Sequence, residues 1–469
     1  MLAMEVKNWL VLVVAAFVFV LGVLKRLNGW YYAAKLGKAW PKLPPGDMGW
    51  PLLGSTILFL KSFSCGQPRN FISNIFIRYG KGDMYKTHIL GRATIIVCTS
   101  ELCRQVLGDE HNFKPSFPVS INRLSGRKSL IQVFKAEHRR LRRLTMAPIS
   151  GHAALKMYIN HIEHTVMSGL EEWASMKNPI ELLSEMKKLT FKIIWNIFMG
   201  SSSFEYSIDE MVVLFSEVAL GFISLPINFP GFNFHKSLKA RKKLLKILQS
   251  IIHQKRLVKN MQGKSWEAKD MMDLLMDVKD EDGEELDDET IIDLIFGNLF
   301  AGHETSSITA MWAVLFLTKH SHIFQTAKEE QERIVAQRPT TQKGITISEI
   351  KQMKFLYQVI DETLRLGGVT FMVFREALAD VEINAKHFRV GWIVSRLLKI
   401  VQLLAKHFRV SWINYVATPG VFIPFGSGSR HCPGSDLAKV ELLNPNCKST
   451  CLPFPHPKDK GLARVYKVE

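Results

Sequence analysis

The chain has 469 residues, of which 47% are hydrophobic and 22% charged, enough to bury a large core. Lys and Arg number 61 against 43 Asp and Glu, for a net charge of +18. No zinc spacing or recognised nucleic-acid-binding motif accompanies the basic residues, so anionic lipid headgroups or an acidic partner explain the charge better than a nucleic acid. Six cysteines without a CxxC pair or dense framework exclude a disulfide scaffold and point to reduced thiols.

Trp9 to Leu24 (WLVLVVAAFVFVLGVL) carries no charge and runs directly into Lys25 and Arg26. Alone it is slightly short for a spanning helix, but flanking residues and snorkelling lysines complete one. No small-residue cleavage site follows, which favours an uncleaved anchor. The cations after it (Lys25, Arg26, Lys35, Lys38, Lys42) place the body of the protein on the cytosolic side. Residues 1–25 are thus read as a transmembrane anchor, and 26–55 as a basic hinge stiffened by the prolines of LPPGDMGWPLLG (43–54). Residues 56–469 form one large domain, since no low-complexity tract divides them.

Met84 to Cys98 alternates around a Gly-Arg turn and predicts a β-hairpin. Ser100 is expected to cap a helix running through Leu107. From about Glu137 to Leu366 the pattern is mainly helical. The longest helix begins near Asp288 and ends near Lys319, spanning roughly 45 Å. Two basic runs lie in this region, His138–Arg143 and Lys239–Lys246, the second reading most simply as a solvated helix face. After Arg375 short strands and loops take over.

The long helix contains Ala301-Gly-His-Glu-Thr-Ser306. Gly302 in a helix interior costs about 1 kcal/mol relative to alanine, and close approach of a flat ligand or of O₂ to bare backbone would justify it. Thr305 has a hydroxyl proton to give and Glu304 a carboxyl able to replenish it through water, although a threonine here also bonds back to its own helix. A zinc-protease pattern is excluded, because Ser307 stands where a second histidine would be needed. Downstream, Glu362 and Arg365 share one helix face at i and i+3.

The most specific stretch is FGSGSRHCPG, residues 425–434. Its glycines permit a tight loop that approaches a flat ligand closely. Peptide N–H groups beyond Cys432 and the start of a helix at Pro433 favour a thiolate there. Phe425, Gly428, Arg430, Cys432 and Gly434 fill every fixed position of Phe-x-x-Gly-x-Arg-x-Cys-x-Gly, and the segment resembles the haem-thiolate loop of cytochromes P450.

That resemblance implies a mainly α fold with small β-sheets, and haem as the cofactor with Cys432 as the axial metal ligand. Ala301–Ser306 resembles the family's oxygen-activation motif, which implies proton-handling roles for Thr305 and Glu304 and a haem-facing Gly302. Glu362 and Arg365 resemble its structural Glu-x-x-Arg pair. His138, Arg142 and Arg375 stand where the family places propionate clamps, a task suited to guanidinium; Arg430 would pair with a carboxylate of the same group. Residues 43–54 resemble the hinge of microsomal members, implying an endoplasmic reticulum membrane, lipid contact, O₂ and an NADPH-cytochrome reductase docking near Cys432. Substrate contacts would fall near Pro115 to Leu124, Phe296 to Ala301 and Val369 to Phe374. LPPGDMGWPLLG, HRRLRRLTMAPISGH and DETIIDLIFGNLFAGHETSS resemble the plant ent-kaurenoic acid oxidase group, which acts on a diterpene acid toward gibberellins; a triterpene oxidase of the β-amyrin type is the alternative.

The resemblance weakens after Asn384. Ala385–Ile393 recurs as Ala405–Ile413 where the family has two strands and a proline-bearing meander, and Asn444-Pro445 ends the helix after Cys432 early. Arg409 is a poor substitute for the arginine expected to join Glu362 and Arg365. Two further readings therefore stand beside a monooxygenase: a catalytically impaired haem-binding remnant or misassembled gene product, and a rearranging enzyme that needs no reductase, which the intact Gly-x-Glu-Thr element disfavours.

Overall fold

The structure is a computed structural model that describes residues 2–64, 69–146, 149, 152–200, 206–222, 224–279, 283, 285–342, 344–367, 372–383, 386–389, 391–397, 424–438, 449–450, 456–457 and 462–463. The chain divides into two units, Met1–Ser116 with Met372–Ile400, and Phe117–Phe371 with Val401–Glu469.

In the first unit helix α1 (Leu2–Leu36) exposes its apolar side chains, Trp9 at 71% and Phe19 at 72% among them. Trp9–Lys42 is long and apolar enough to cross a membrane. The helix continues past Lys25, because the stretch to Leu36 holds only the isolated Gly29 as a helix breaker. Residues 43–54, expected to be a stiff spacer, pack instead: Leu43 and Met48 are buried, and Lys86 Nζ donates to Pro44 O at 2.8 Å. Asn28 Nδ2 likewise donates to Met48 O at 2.7 Å. Prolines lack donors, but their carbonyls remain acceptors that a neighbouring strand can use.

After α2 (Thr56–Ser64) and α3 (Arg69–Tyr79) comes the expected hairpin, β1 (Met84–Ile89) against β2 (Arg92–Val97). Its turn is Leu90-Gly91, both at positive φ, one residue earlier than the Gly-Arg turn read from sequence. Helix α4 (Ser100–Gly108) has Thr99, not Ser100, at its cap position, and no side chain completes the cap. β3 (Phe113–Pro115), β5 (Met372–Ala377) and β8 (Ile393–Leu397) extend the sheet in the order β1-β2-β8-β5-β3. Among the described strands of this sheet, β2 and β8 pair in parallel and the other pairs are antiparallel. β6 (Val381–Ile383) pairs with β7 (Lys386–Phe388), so the first copy of the repeat supplies strands rather than interrupting them. Phe388 is fully buried edge-on to Phe113 at 5.8 Å, and Trp392 is also buried. The second copy lies outside the described residues.

The second unit is helical. α5 (Val119–Ser125), α6 (Lys135–Met146), α7 (His152–Ser175), α8 (Leu182–Met199), α9 (Ile208–Phe222), α10 (Asn233–Gln262) and α11 (Met271–Asp277) precede the long α12 (Asp288–Lys319). α13 (Ser321–Ala336), α14 (Ile347–Gln352) and α15 (Lys354–Gly367) follow, and α16 (Ser435–Ala438) comes directly after the cysteine loop. Pairs of short strands, β4 (Ile180–Glu181) with β11 (Leu462–Ala463) and β9 (Ser449–Thr450) with β10 (His456–Pro457), complete the described strands. α12 has the bounds expected from its sequence, and Asp287 starts it by accepting from Thr290 N. Its apolar faces join α8, α9 and α10 in one core that also takes in Leu437 of α16.

Glu362 and Arg365 on α15 are buried and joined by two bonds of 2.6 and 2.7 Å. In the basic run of α10, Lys239, Lys242, Lys243 and Lys246 are exposed as expected, whereas Arg241 turns inward.

Candidate functional site

The site is built around an interruption in α12. Leu299, Phe300, His303 and Glu304 are buried, yet Ala301 is exposed and Gly302 and Thr305 are half-buried. An exposed alanine halfway along a core helix means that a hollow reaches its backbone. Asn298, Ala301 and Thr305 recur on this face at helical spacing.

Thr305 Oγ1 donates to Ala301 O at 2.6 Å, the local alternative open to a mid-helix threonine. A Cβ at Gly302 would meet Ile194 of α8 at 3.0–3.1 Å. The missing side chain at Gly302 therefore serves close packing of α12 on α8.

Glu304 points into the core and is fully buried. Its Oε1 accepts from Lys187 Nζ of α8 at 2.7 Å and from Ser216 Oγ of α9 at 3.3 Å. His303 Nε2 lies 3.5 Å away, while His303 Nδ1 is 2.8 Å from Leu299 O. Burial pushes the carboxyl up, but the Lys187 charge and the His303 contact outweigh it and hold it at about 2. Glu304 is thus an anion at neutral pH, able to accept hydrogen bonds and order water but not to store a proton. Its Oε2 has no hydrogen-bond partner among the described residues.

Cys432 is half-buried, forms no disulfide, and sits in a loop closed by its own N–H donating to Phe425 O at 2.9 Å. Gly426 and Gly428 take φ of 79° and 71°, a conformation that a Cβ disfavours, while the space at Gly434 is open. Arg142 on α6 donates to His431 O at 2.6 Å. Burial lowers its pKa and the Cys432 charge works in the opposite sense, so the guanidinium and the sulfur interact. His138, one turn earlier, is buried. Arg430, expected to reach a carboxylate of a bound group, here donates to Leu130 O at 2.9 Å and Val133 O at 2.6 Å.

Arg375 stands on β5 in the first unit and is only 6% exposed. Its Nη1 donates to Phe374 O, and among the described residues no carboxylate is within ion-pair distance. Burial pushes it down to about 10, partly offset by Glu110. A desolvated guanidinium without a directly paired anion is suited to an acidic group supplied by a ligand.

These residues fit a haem. The second unit offers a thiol on a close-approach loop, a cation interacting with that sulfur, and a hollow at the α12 backbone. Of the residues expected from sequence, Gly302, Glu304, Thr305, His138, Arg142, Phe425, Gly428, Arg430, Cys432 and Gly434 all belong to the second unit. Lys187, Ser216 and Asn298 were not legible beforehand. The first two lie far from Glu304 in sequence; Asn298 could have been found from its helical spacing to Ala301, and its Nδ2 is buried without a partner among the described residues. Of the apolar stretch 369–374, residues 369–371 lie outside the described residues, as does Arg409.

A family model described as "Cytochrome P450" matches residues 44–443, continuing through the repeat where the sequence pattern had suggested a break at Asn384. "Beta-amyrin 11-oxidase" of Glycyrrhiza uralensis is 45% identical, covering 96% of each chain. "Ent-kaurenoic acid oxidase 2" of Arabidopsis thaliana is 43% identical, covering 98% of each. The solved structure "Retinoic acid bound cyanobacterial CYP120A1" superposes with a TM-score of 0.77 at 26% identity, over 89% of this chain and 97% of the other.

Proposed function

Starting from a chain that belongs to the cytochrome P450 family, we propose that it is a membrane-anchored monooxygenase that hydroxylates a polycyclic terpenoid. An ent-kaurenoic acid skeleton is the first candidate substrate and a β-amyrin-type triterpene the second. The observation that carries the reading is the Ala301–Thr305 face, opened in a helix otherwise sealed in the core, within the unit that holds Cys432. Relatives named for oxidising such skeletons match nearly the whole chain.

Bound haem would supply the redox-active iron at which O₂ is activated. Cys432 would hold that iron as a thiolate, with Arg142 nearby to balance the charge. His138, Arg142 and Arg375 would take the propionates. Thr305 Oγ1 would turn its proton from Ala301 O toward the hollow, and its own helix carbonyl would receive it again between turnovers. Glu304, already ionised, would order water by accepting hydrogen bonds rather than donate a proton of its own. Aromatic side chains from two helices, Phe215 and Phe222 of α9 and Phe296 and Phe300 of α12, pack together beside this face and suit a hydrocarbon skeleton.

Helix α1 would hold the chain in the endoplasmic reticulum membrane with the body on the cytosolic side. The exposed Arg139 and Arg143 of α6 would meet the acidic surface of an NADPH-cytochrome reductase. The full chain, expressed in membranes with a reductase, is expected to show a thiolate-type Soret band in its reduced, CO-bound state. It is also expected to convert ent-kaurenoic acid in an NADPH-dependent way. Cys432→Ser is expected to lose that band completely. A band of neutral ligation in the parent chain, or no pigment, would sink the reading.

A further inference from the structure

We propose that Asp293 and Arg241 form a latch that clamps residues 124–128 onto α12 and α10 and so sets the wall of the substrate hollow. The structural part rests on geometry alone; the effect on substrate rests on the reading above that substrate contacts fall near Leu124 and Phe296.

Asp293 lies on α12 two turns before Ala301, about 12 Å along the axis. Its carboxylate is buried and accepts from two directions. Arg241 Nη2 of α10 donates to Oδ1 at 3.1 Å, and the backbone N–H of Lys128 donates to Oδ2 at 3.1 Å. Arg241 Nε donates in turn to Leu124 O at 2.9 Å. One side chain therefore grips both the anion on α12 and the end of α5. A lysine, with a single nitrogen on a flexible stem, lacks that fixed two-way fork. Gly126, at φ +92°, lets the backbone press on the carboxylate, since a Cβ there would stand 2.1 Å from Asp293 Oδ1. Ser129 Oγ closes the turn on Gly126 O at 2.8 Å.

The latch reaches the aromatic wall as well. The Arg241 guanidinium lies over the Phe296 ring at 5.4 Å, and Phe296 stacks on Phe215 at 5.6 Å. The lysines around Arg241 are exposed, so the inward turn of this one cation has a local cause, the buried acid opposite it. Burial opposes ionisation of both partners, and each relieves the other. Neither group is placed to touch reacting atoms. Both are positioning residues.

The test uses the full membrane-bound chain with Asp293→Asn, Arg241→Lys and Gly126→Ala, and Lys243→Ala as the exposed control. Amide hydrogen exchange over 119–133 is expected to quicken about tenfold in the three variants and to stay unchanged in the control. Unchanged exchange in Asp293→Asn and Arg241→Lys overturns the latch whether or not the chain has activity. With ent-kaurenoic acid as probe, the substrate-induced spectral shift is expected to need about tenfold more ligand, with the reduced CO band retained. Faster exchange with unaltered ligand dependence and product pattern would overturn the role in the substrate wall. A parent chain lacking the CO band fails the monooxygenase reading instead, and leaves the exchange result to decide the latch.

Discussion

Glu362 on α15 and Glu304 on α12 are both completely buried carboxylates, and the fold satisfies them in opposite ways. Glu362 meets Arg365 one turn along its own helix through two parallel bonds. Glu304 meets Lys187 from another helix through a single oxygen, and its Oε2 has no hydrogen-bond partner among the described residues. The first arrangement is a bidentate fork, as expected of a structural pair. The second retains accepting capacity on one oxygen, next in sequence to the exposed face of α12. Their chemistry is the same; the geometry of the cation separates their roles.

The sharpest way to break this comparison is Arg365→Ala. It removes the guanidinium that donates two bonds to the buried Glu362, and is expected to destabilise the chain by about 3–5 kcal/mol. Chemical denaturation, or loss of folded protein on expression, would register it. A loss below about 1 kcal/mol would show that the pair is not structural.

Lys187→Met comes next. The folded-state pKa of Glu304 is depressed from 4.5 to about 2, so its stabilisation is fully present above 4.5 and lost as pH falls toward 2. The stability gap between parent and variant should be about 3 kcal/mol at neutral pH and shrink across that window. Denaturation midpoints measured from pH 7 to pH 3 test the sign. A gap that widens on acidification would contradict the assigned ion pair.

Thr305→Ala separates chemistry from stability. Unfolding is expected to change by less than about 1 kcal/mol, because only an intrahelical hydroxyl bond is lost. Product formed per NADPH consumed is expected to fall about tenfold. Equal coupling in the two proteins would remove Thr305 from proton delivery.

The smallest effect belongs to Gly302→Ala. Helix propensity contributes about 1 kcal/mol in its favour, and crowding of Ile194 opposes it by a similar amount. The net change should lie within about 1 kcal/mol, and adding Ile194→Val should turn the double variant stabilising. A loss well beyond that, unrelieved by the second change, would mean that Gly302 is bare for a reason other than packing on α8.

The residues show how far local pattern reaches. The bounds of α12, the β1–β2 hairpin, the Glu362–Arg365 spacing and the cysteine loop were all legible, because each depends on neighbours within a few positions. Hydrophobic periodicity, turn chemistry and i,i+3 spacing act over that range. The packed 43–54 segment, the Thr99 cap and the strands drawn from the first repeat copy were not, since each depends on a strand or helix far along the chain.

By itself, then, the sequence determined the helical class, the apolar first helix and a thiol loop with a family signature. Only the folded chain decided which charges lose water. Arg241 reads as one more cation in a basic run, yet turns inward because Asp293 waits there; Glu304 reads as a proton donor, yet is held ionised by Lys187. Desolvation depends on what other elements cover a side chain, and that information is not local.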